Sequence, residues 1–207
     1  MLRPQLRLVN REISIDVGSP SQADTSRKLA RHPALTIAIH WTTVTAIVIA
    51  VAVMFVRDAA EDRALRQYLL DLHRQLGLLV LIGAGVRIAL RLGRGLANHA
   101  PNMSPMLRWA AQGAHVLLYA VLLALPLLGW AVTSAHGIKL TVLGIVPLPQ
   151  IVSADSELAD TLTDYHVRVA WGLLTLVTAH AGAACWHHFV RRDSVLRAML
   201  PRVTRGS

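Results

Sequence analysis

The run ALTIAIHWTTVTAIVIAVAVMFV, residues 34–56, passes 23 positions without an Asp, Glu, Lys or Arg. A helix needs about 20 apolar residues to cross the hydrocarbon of a bilayer. The run shows no period-two alternation, so it reads as a transmembrane helix and not as a barrel strand. Trp109–Val132 is equally free of charge, and Tyr165–Val190 carries only Arg168 near its start. A fourth stretch, Leu69–Leu92, holds Asp71, Arg74, Arg87 and Arg91 toward its ends around the apolar segment Leu76–Val86. Long arginines can snorkel from such positions to the interface. Four helices with short connections predict an all-α integral membrane protein, an antiparallel four-helix transmembrane bundle.

The composition agrees with that reading. The chain is 54% hydrophobic and 16% charged, against about 25% charged in an ordinary soluble domain. The net charge of +9 does not point to nucleic acid, because the basic residues flank apolar runs and do not gather on one accessible folded face. The single cysteine, Cys185, excludes an internal disulfide, a Cys-ligated iron–sulfur cluster and covalent haem attachment through Cys-x-x-Cys-His.

Lys and Arg in the connections set the orientation. Residues 1–33 hold six, Arg87–Arg108 four, and the tail after Val190 five, which assigns these three segments and both termini to the cytoplasm. Arg57–Arg74 balances four basic residues with four acidic ones, and Lys139–Asp164 has one against four, so these belong outside. Residues 1–33 lack an apolar core before the first span and contain Gly18, Ser19, Pro20 and Ser21. They read as a disordered cytoplasmic arm without a signal peptide. The membrane domain occupies 34–190 and a basic cytoplasmic tail 191–207. Asn98–Pro105 and Gly144–Ser156, each with two prolines or more than one turn residue, read as loops.

Every span carries a histidine, and an imidazole in lipid costs free energy unless it is paired or in use. His40 lies seven residues into a helix that enters from the cytoplasm, so it sits on the inner side. His73 begins a helix that enters from outside. On the last span His166 is at the outer start, and His180 lies fourteen residues further in, about 21 Å along the axis and about 40° short of a whole number of turns. Depth therefore pairs His40 with His180 on the inner side and His73 with His166 on the outer side, which is the arrangement of two stacked bis-histidine haems. Haem suits these neutral donors because the porphyrin dianion already balances ferrous iron, whereas a bare cation would want carboxylates that the interiors of the first, third and fourth spans lack. Propionates call for cations, and Arg31, Arg74, Arg87, Arg91 and Arg168 lie near span ends. Met54 is a rival ligand at the outer level or a core filler. His115 also enters its span from the inside but finds no spare partner at its depth, and reads as structural or quinone-adjacent. His32, His99 and His136 read as solvated, and Cys185 as packing. His187 lies seven residues beyond His180, about 20° from its direction. With His188 it reads either as a group that hydrogen-bonds or protonates a quinone or as part of an interfacial belt with Trp186 and Phe189.

These residues also carry a resemblance. Ile39-His40-Trp41, Leu72-His73 with Gly77, Ala114-His115-Val116-Leu117-Leu118-Tyr119, and Leu125-Pro126-Leu127-Leu128-Gly129 are similar to motifs of the prokaryotic cytochrome b561 family. So are Tyr165-His166, Ala179-His180-Ala181, His187-His188, Asp193-Ser194 and Met199-Leu200-Pro201. The resemblance covers about residues 33–201. It implies a bacterial inner-membrane cytochrome that binds two b haems through His40, His180, His73 and His166. Members that this chain resembles act as superoxide oxidases, which take electrons from superoxide outside and reduce ubiquinone, with His187 at the quinone-contacting position. Outer-side candidates for steering the anion are Arg57, Arg63, Arg66, Arg74, Lys139 and Arg168. The competing reading is a cytochrome b subunit that passes electrons between a partner redox protein and the quinone pool. A cation transporter built on the same histidines would be colourless.

Overall fold

The computed structural model describes residues 33–93, 105–192 and 196–200. Most of the N-terminal arm, nearly all of the Asn98–Pro105 loop and much of the basic tail lie outside the described residues. Four helices dominate: α1 (Ala34–Ala59), α2 (Arg63–Gly93), α3 (Pro105–Ala135) and α4 (Ser156–Phe189). All four are long and apolar enough to cross a membrane. A two-stranded antiparallel hairpin, β1 (Thr141–Val142) and β2 (Val146–Pro147), lies between α3 and α4. A short 3₁₀ turn follows at Arg197–Met199.

All four helices run longer than the spans read from sequence. α2 begins six residues before Leu69 and α4 nine before Tyr165. Both starts are capped: Asp62 Oδ2 accepts from the Leu65 amide at 2.7 Å, and Asp155 Oδ1 from the Leu158 amide at 2.9 Å. A carboxylate placed there satisfies an orphan N–H and favours the positive end of the helix. The additional turns are polar and stand outside the hydrocarbon. Along the helices, threonine hydroxyls are satisfied by their own backbone. Thr43 bonds to the Ile39 carbonyl, Thr133 to Gly129, Thr163 to Ala159, Thr175 to Trp171 and Thr178 to Leu174, at 2.7–3.0 Å. A threonine in lipid thus needs no partner helix.

α1 packs closely on α2, α3 on α4, and α2 on α3. Small residues set the first of these approaches. A Cβ at Gly83 would lie 2.8 Å from Thr43 Oγ1, so only glycine lets α2 come this near α1. The buried core is small and comprises Ala46, Val80, Ala84, Leu118, Leu122 and Leu173. Its position explains what the bundle can hold. Leu173 is seven residues from His166 and seven from His180, and Val80 is seven from His73. The packed layer therefore occupies the middle level, with a tier of histidines above and another below it. α4, which supplies a histidine to each tier, buries only Ala159 and Leu173.

Gly144–Ser156, read from sequence as a loop, contains part of the hairpin and is extensively bonded. Leu148 N donates to the Leu140 carbonyl at 2.8 Å, Trp130 Nε1 to the Pro149 carbonyl at 3.0 Å, and Asp155 N to the Ala135 carbonyl at 2.9 Å. Gly137 and Gly144 both have φ near +71°, a left-handed conformation that glycine adopts without strain.

Candidate functional site

At the hairpin end a cavity of about 330 Å³ opens among α1, α2, α3 and α4. That is the size of a small-molecule site. Its wall contains His73 and Arg74 from α2, Met54 and Arg57 from α1, Pro126, Gly129 and Trp130 from α3, and His166 from α4. Ile138 and Leu140, which lead into the hairpin, also line it. The two histidines that depth alone pairs are brought together here. Their ring centroids are 6.1 Å apart, with planes at 79°. Metal–nitrogen bonds of about 2.0–2.1 Å put two opposed imidazole centroids about 6.4 Å apart across a six-coordinate iron. The observed spacing leaves room for a metal between the rings, and it also lies within the range of edge-to-face ring contact.

The surroundings orient both rings. His73 Nδ1 lies 3.1 Å from the Ala50 carbonyl oxygen. A carbonyl accepts only, so this nitrogen carries the proton and Nε2 keeps the lone pair that coordination requires. On the other side a Cβ at Gly129 would sit 3.1 Å from His166 Cε1 and 3.5 Å from its Nδ1. The ring rests against bare backbone. Pro126, one turn earlier, has no N–H to give the Leu122 carbonyl, so α3 lacks one of its ladder bonds beside the cavity. Neither the Ala50 carbonyl nor the Gly129 contact was singled out from sequence. The signal for the second was present in Pro126-Leu127-Leu128-Gly129, since a proline and a glycine within one turn of a transmembrane helix mark a place where something else packs.

Arg57 and Arg74 stand in the same wall. Each is paired with an exposed aspartate, Arg57 with Asp58 at 2.9 Å and Arg74 with Asp71 at 2.6 Å. Gln75, another residue passed over in the sequence, reaches from α2 to the hairpin. Its Nε2 donates to the Thr141 carbonyl at 2.7 Å, and its Oε1 accepts from Leu143 N at 2.9 Å. One side-chain amide thus clips the hairpin backbone beside the cavity. His136, expected to be solvated, is exposed but borders the cavity, with Nδ1 held by the Val132 carbonyl at 2.9 Å. Met54 lies in the wall, where the alternatives of ligand and filler both place it.

At the opposite end the arrangement differs from expectation. Among the described residues, the ring set against His180 is that of His115, with centroids 5.3 Å apart and planes at 77°. His115 does have a partner at its depth. α3 begins at Pro105, four residues before the uncharged run, which carries His115 about 15 Å into the helix and level with His180. His40 stands edge-on to Trp41 at 5.7 Å, and α1 and α4 are not among the closely packed helix pairs. Trp41 Nε1 donates to the Met199 carbonyl at 2.8 Å, which fastens the 3₁₀ turn over this end of α1. Arg87 and Arg91 both lie over the Tyr119 ring, at 5.5 and 5.8 Å. His187 and His188 are half-buried near the end of α4, and Cys185 is exposed. No cluster of three or more His, Cys, Asp or Glu side chains suited to a bare metal ion occurs among the described residues. The donor set is paired neutral imidazoles, which is what a haem iron accepts.

Comparison with known proteins agrees with this donor chemistry. The family model described as "Prokaryotic cytochrome b561" matches residues 31–202. The chain belongs to that family. Among curated relatives, "Probable superoxide oxidase CybB" of Yersinia pestis is 30% identical over 172 residues, covering 83% of this chain and 97% of the relative. "Cytochrome b561 homolog 1" of Escherichia coli K12 is 31% identical over 79% of this chain and 93% of its own length. "Cytochrome b561 homolog 2" of the same organism is 28% identical over 63% and 69% respectively. As a prokaryotic cytochrome b561 with four membrane-spanning helices, the protein is a multi-pass b-type cytochrome of the bacterial inner membrane. It binds haem b and acts in electron transport, in contact with lipid and a quinone-type partner.

Proposed function

We propose that this cytochrome is a superoxide oxidase, carrying electrons from superoxide at the outer, hairpin-bearing face to ubiquinone near the cytoplasmic face, with both termini in the cytoplasm. Two b haems would be held, one by His73 and His166 and one by His40 and His180. The observation that carries the reading is the facing pair His73 and His166 in a cavity whose wall also holds Arg57 and Arg74. The similarity to a relative named as a superoxide oxidase supports the substrate.

In the balanced reaction each of two superoxide anions gives up one electron and leaves as O₂, while ubiquinone takes both electrons and two protons to become the quinol. Bound haem supplies the one-electron chemistry between the faces. The chain supplies the rest. The Ala50 carbonyl holds His73 with Nε2 directed away from its own hydrogen bond. Gly129 leaves room for the His166 ring. Arg57 and Arg74 provide local positive potential that draws the anion in, moderated by Asp58 and Asp71. At the other face His187 would hydrogen-bond the quinone or pass it a proton.

The decisive assay is superoxide-driven reduction of a water-soluble ubiquinone analogue by the pure protein. Fast turnover without any partner, slowed in Arg74→Gln and losing part of its salt dependence there, is the expected result. Slow haem reduction until a redox partner is added would overturn it in favour of an electron-transfer subunit.

A further inference from the structure

Arg87 and Arg91, one turn apart on α2, both bring their guanidinium carbons over one ring, that of Tyr119 on α3, at 5.5 and 5.8 Å from its centroid. An arginine near the end of a span extends to interfacial water when nothing inside requires it. These two do the opposite. Side chains of a helix lean toward its own N-terminus. α2 runs away from the hairpin, so its last arginines lean back into the bundle, and Tyr119 on the antiparallel α3 leans to meet them. Arg87 is fourteen residues from His73, as His180 is from His166, about 21 Å along helices that start at the same end. It therefore lies level with His180, and its charge bears on the rings of both His115 and His180.

Two like charges brought together in this way call for an anion. Among the described residues every Asp and Glu lies between residues 58 and 71 or between 155 and 164, toward the hairpin. The ion pairs Arg57–Asp58 and Arg74–Asp71 are there too. Arg87 and Arg91 are half-buried, and Arg87 Nε is shut off from solvent without a hydrogen bond. A charged donor left so destabilises the fold. The face of Tyr119 attracts both cations but carries no net charge to balance them.

We propose that Arg87 and Arg91, seated on Tyr119, bind the two propionate groups of the haem that His180 ligates. The proposal rests on the reading of His180 as a ligand given above. Charges match two for two, and the planar guanidinium fork suits a carboxylate. The level matches as well, because propionates are tied to the macrocycle and lie near the depth of its iron. A lipid phosphate is the other anion that a basic site at this end could take, but headgroups lie at the interface and both guanidiniums lean away from it. At the hairpin end the corresponding arginines, Arg57 and Arg74, are each already joined to an aspartate. The two tiers thus differ in the positive charge they leave available. Reduction of iron adds negative charge beside Arg87 and Arg91, so their presence stabilises the ferrous state and favours the arrival of electrons at this tier.

The test uses the purified holoprotein, with haem per chain, a redox titration resolving each haem, and reduced-minus-oxidised infrared spectra of haem isotope-labelled in its propionate carboxyls. Wild type with two haems, and His180→Ala with one, identify the haem concerned; if His180→Ala keeps both, the ligand reading fails and the proposal fails with it. The double variant Arg87→Gln/Arg91→Gln is expected to lower the potential of that haem, with its reduction equilibrium shifted roughly threefold to tenfold, where tenfold corresponds to about 59 mV for one electron. Its labelled carboxylate band should move, and the other haem should stay unchanged. Arg87→Lys/Arg91→Lys, which keeps both charges, is expected to return the equilibrium toward that of wild type. Equal shifts in the lysine and glutamine variants would reduce the arginines to packing residues and overturn the proposal. Should glutamine cost the protein that haem altogether, its recovery with lysine supports the proposal and its loss in both overturns it. Unchanged potentials and carboxylate bands with glutamine overturn it, as does a shift of the haem that survives in His180→Ala. A fall in phospholipid phosphate held by the washed protein, with potentials unchanged, would assign the arginines to a lipid and overturn it as well.

Discussion

Substituting Gly129 tests the site at the hairpin end through its tightest contact. The Cβ of an alanine there would meet His166 Cε1 at 3.1 Å and Nδ1 at 3.5 Å. Carbon atoms in comfortable contact are about 3.5–4.0 Å apart, so the ring must retreat by roughly half an ångström. A functional site holds its geometry within about 0.5 Å, and metal–ligand distances within about 0.2 Å. The displacement is therefore large for a ligand and small for a helix. α3 itself gains, since alanine is favoured over glycine inside a helix by about 0.5–1 kcal/mol. The two effects have opposite signs and are separable. Overpacking costs about 1–3 kcal/mol, and at 1.4 kcal/mol per decade this predicts roughly five- to 150-fold weaker retention of one haem. Helix content by circular dichroism should stay at the wild-type value while haem per chain falls toward one under repeated detergent washing. Gly129→Val, which fills more of the same space, should lose that haem outright. If both variants kept two haems with unaltered potentials, His166 could not be a ligand held against α3, and the assignment of that tier would be wrong.

Other expectations concern separate elements. His73→Ala and His40→Ala should each remove one haem, and different ones, as read by the reduced α-band; a variant keeping both would exclude that residue as a ligand. Gly83→Ala should lower thermal stability in detergent by pushing its Cβ onto Thr43 Oγ1, 2.8 Å away. Thr43→Ala in the same chain should restore most of the loss, giving a double-mutant coupling energy of about 0.5–3 kcal/mol. Purely additive effects would show that the two helices do not meet there. Gln75→Leu removes two hydrogen bonds to the hairpin, each worth about 0.5–1.5 kcal/mol. Trypsin cleavage after Lys139 should quicken by roughly five- to 150-fold, and an unchanged rate would mean that other contacts hold the hairpin.

The spans were legible because a bilayer forbids what a soluble core tolerates, so uncharged runs such as Ala34–Val56 leave little choice. Helical rise then placed His73 level with His166 with no further information. The additional turns of α2 and α4 were not visible in the same way, because Arg63–Tyr68 and Ser156–Asp164 are polar and only the caps at Asp62 and Asp155 mark their starts. His115 was left without a spare partner because His180 was already paired with His40, and depth alone does not say which of two rings on different helices faces His180. The hairpin escaped notice because its strands have two residues each and its register rests on Gln75, a side chain whose reach to another segment leaves no mark in the sequence.

Of the four helices, α4 has the fewest buried side chains, yet it supplies a histidine to both tiers. Prosthetic groups seated at two levels would rivet this rod to its neighbours where leucines do not. Assembly of the native molecule should then wait on porphyrin supply, with newly inserted chains loose and open to membrane proteases until both seats are filled. The cell would gain a quality check on its electron carriers without a dedicated sensor.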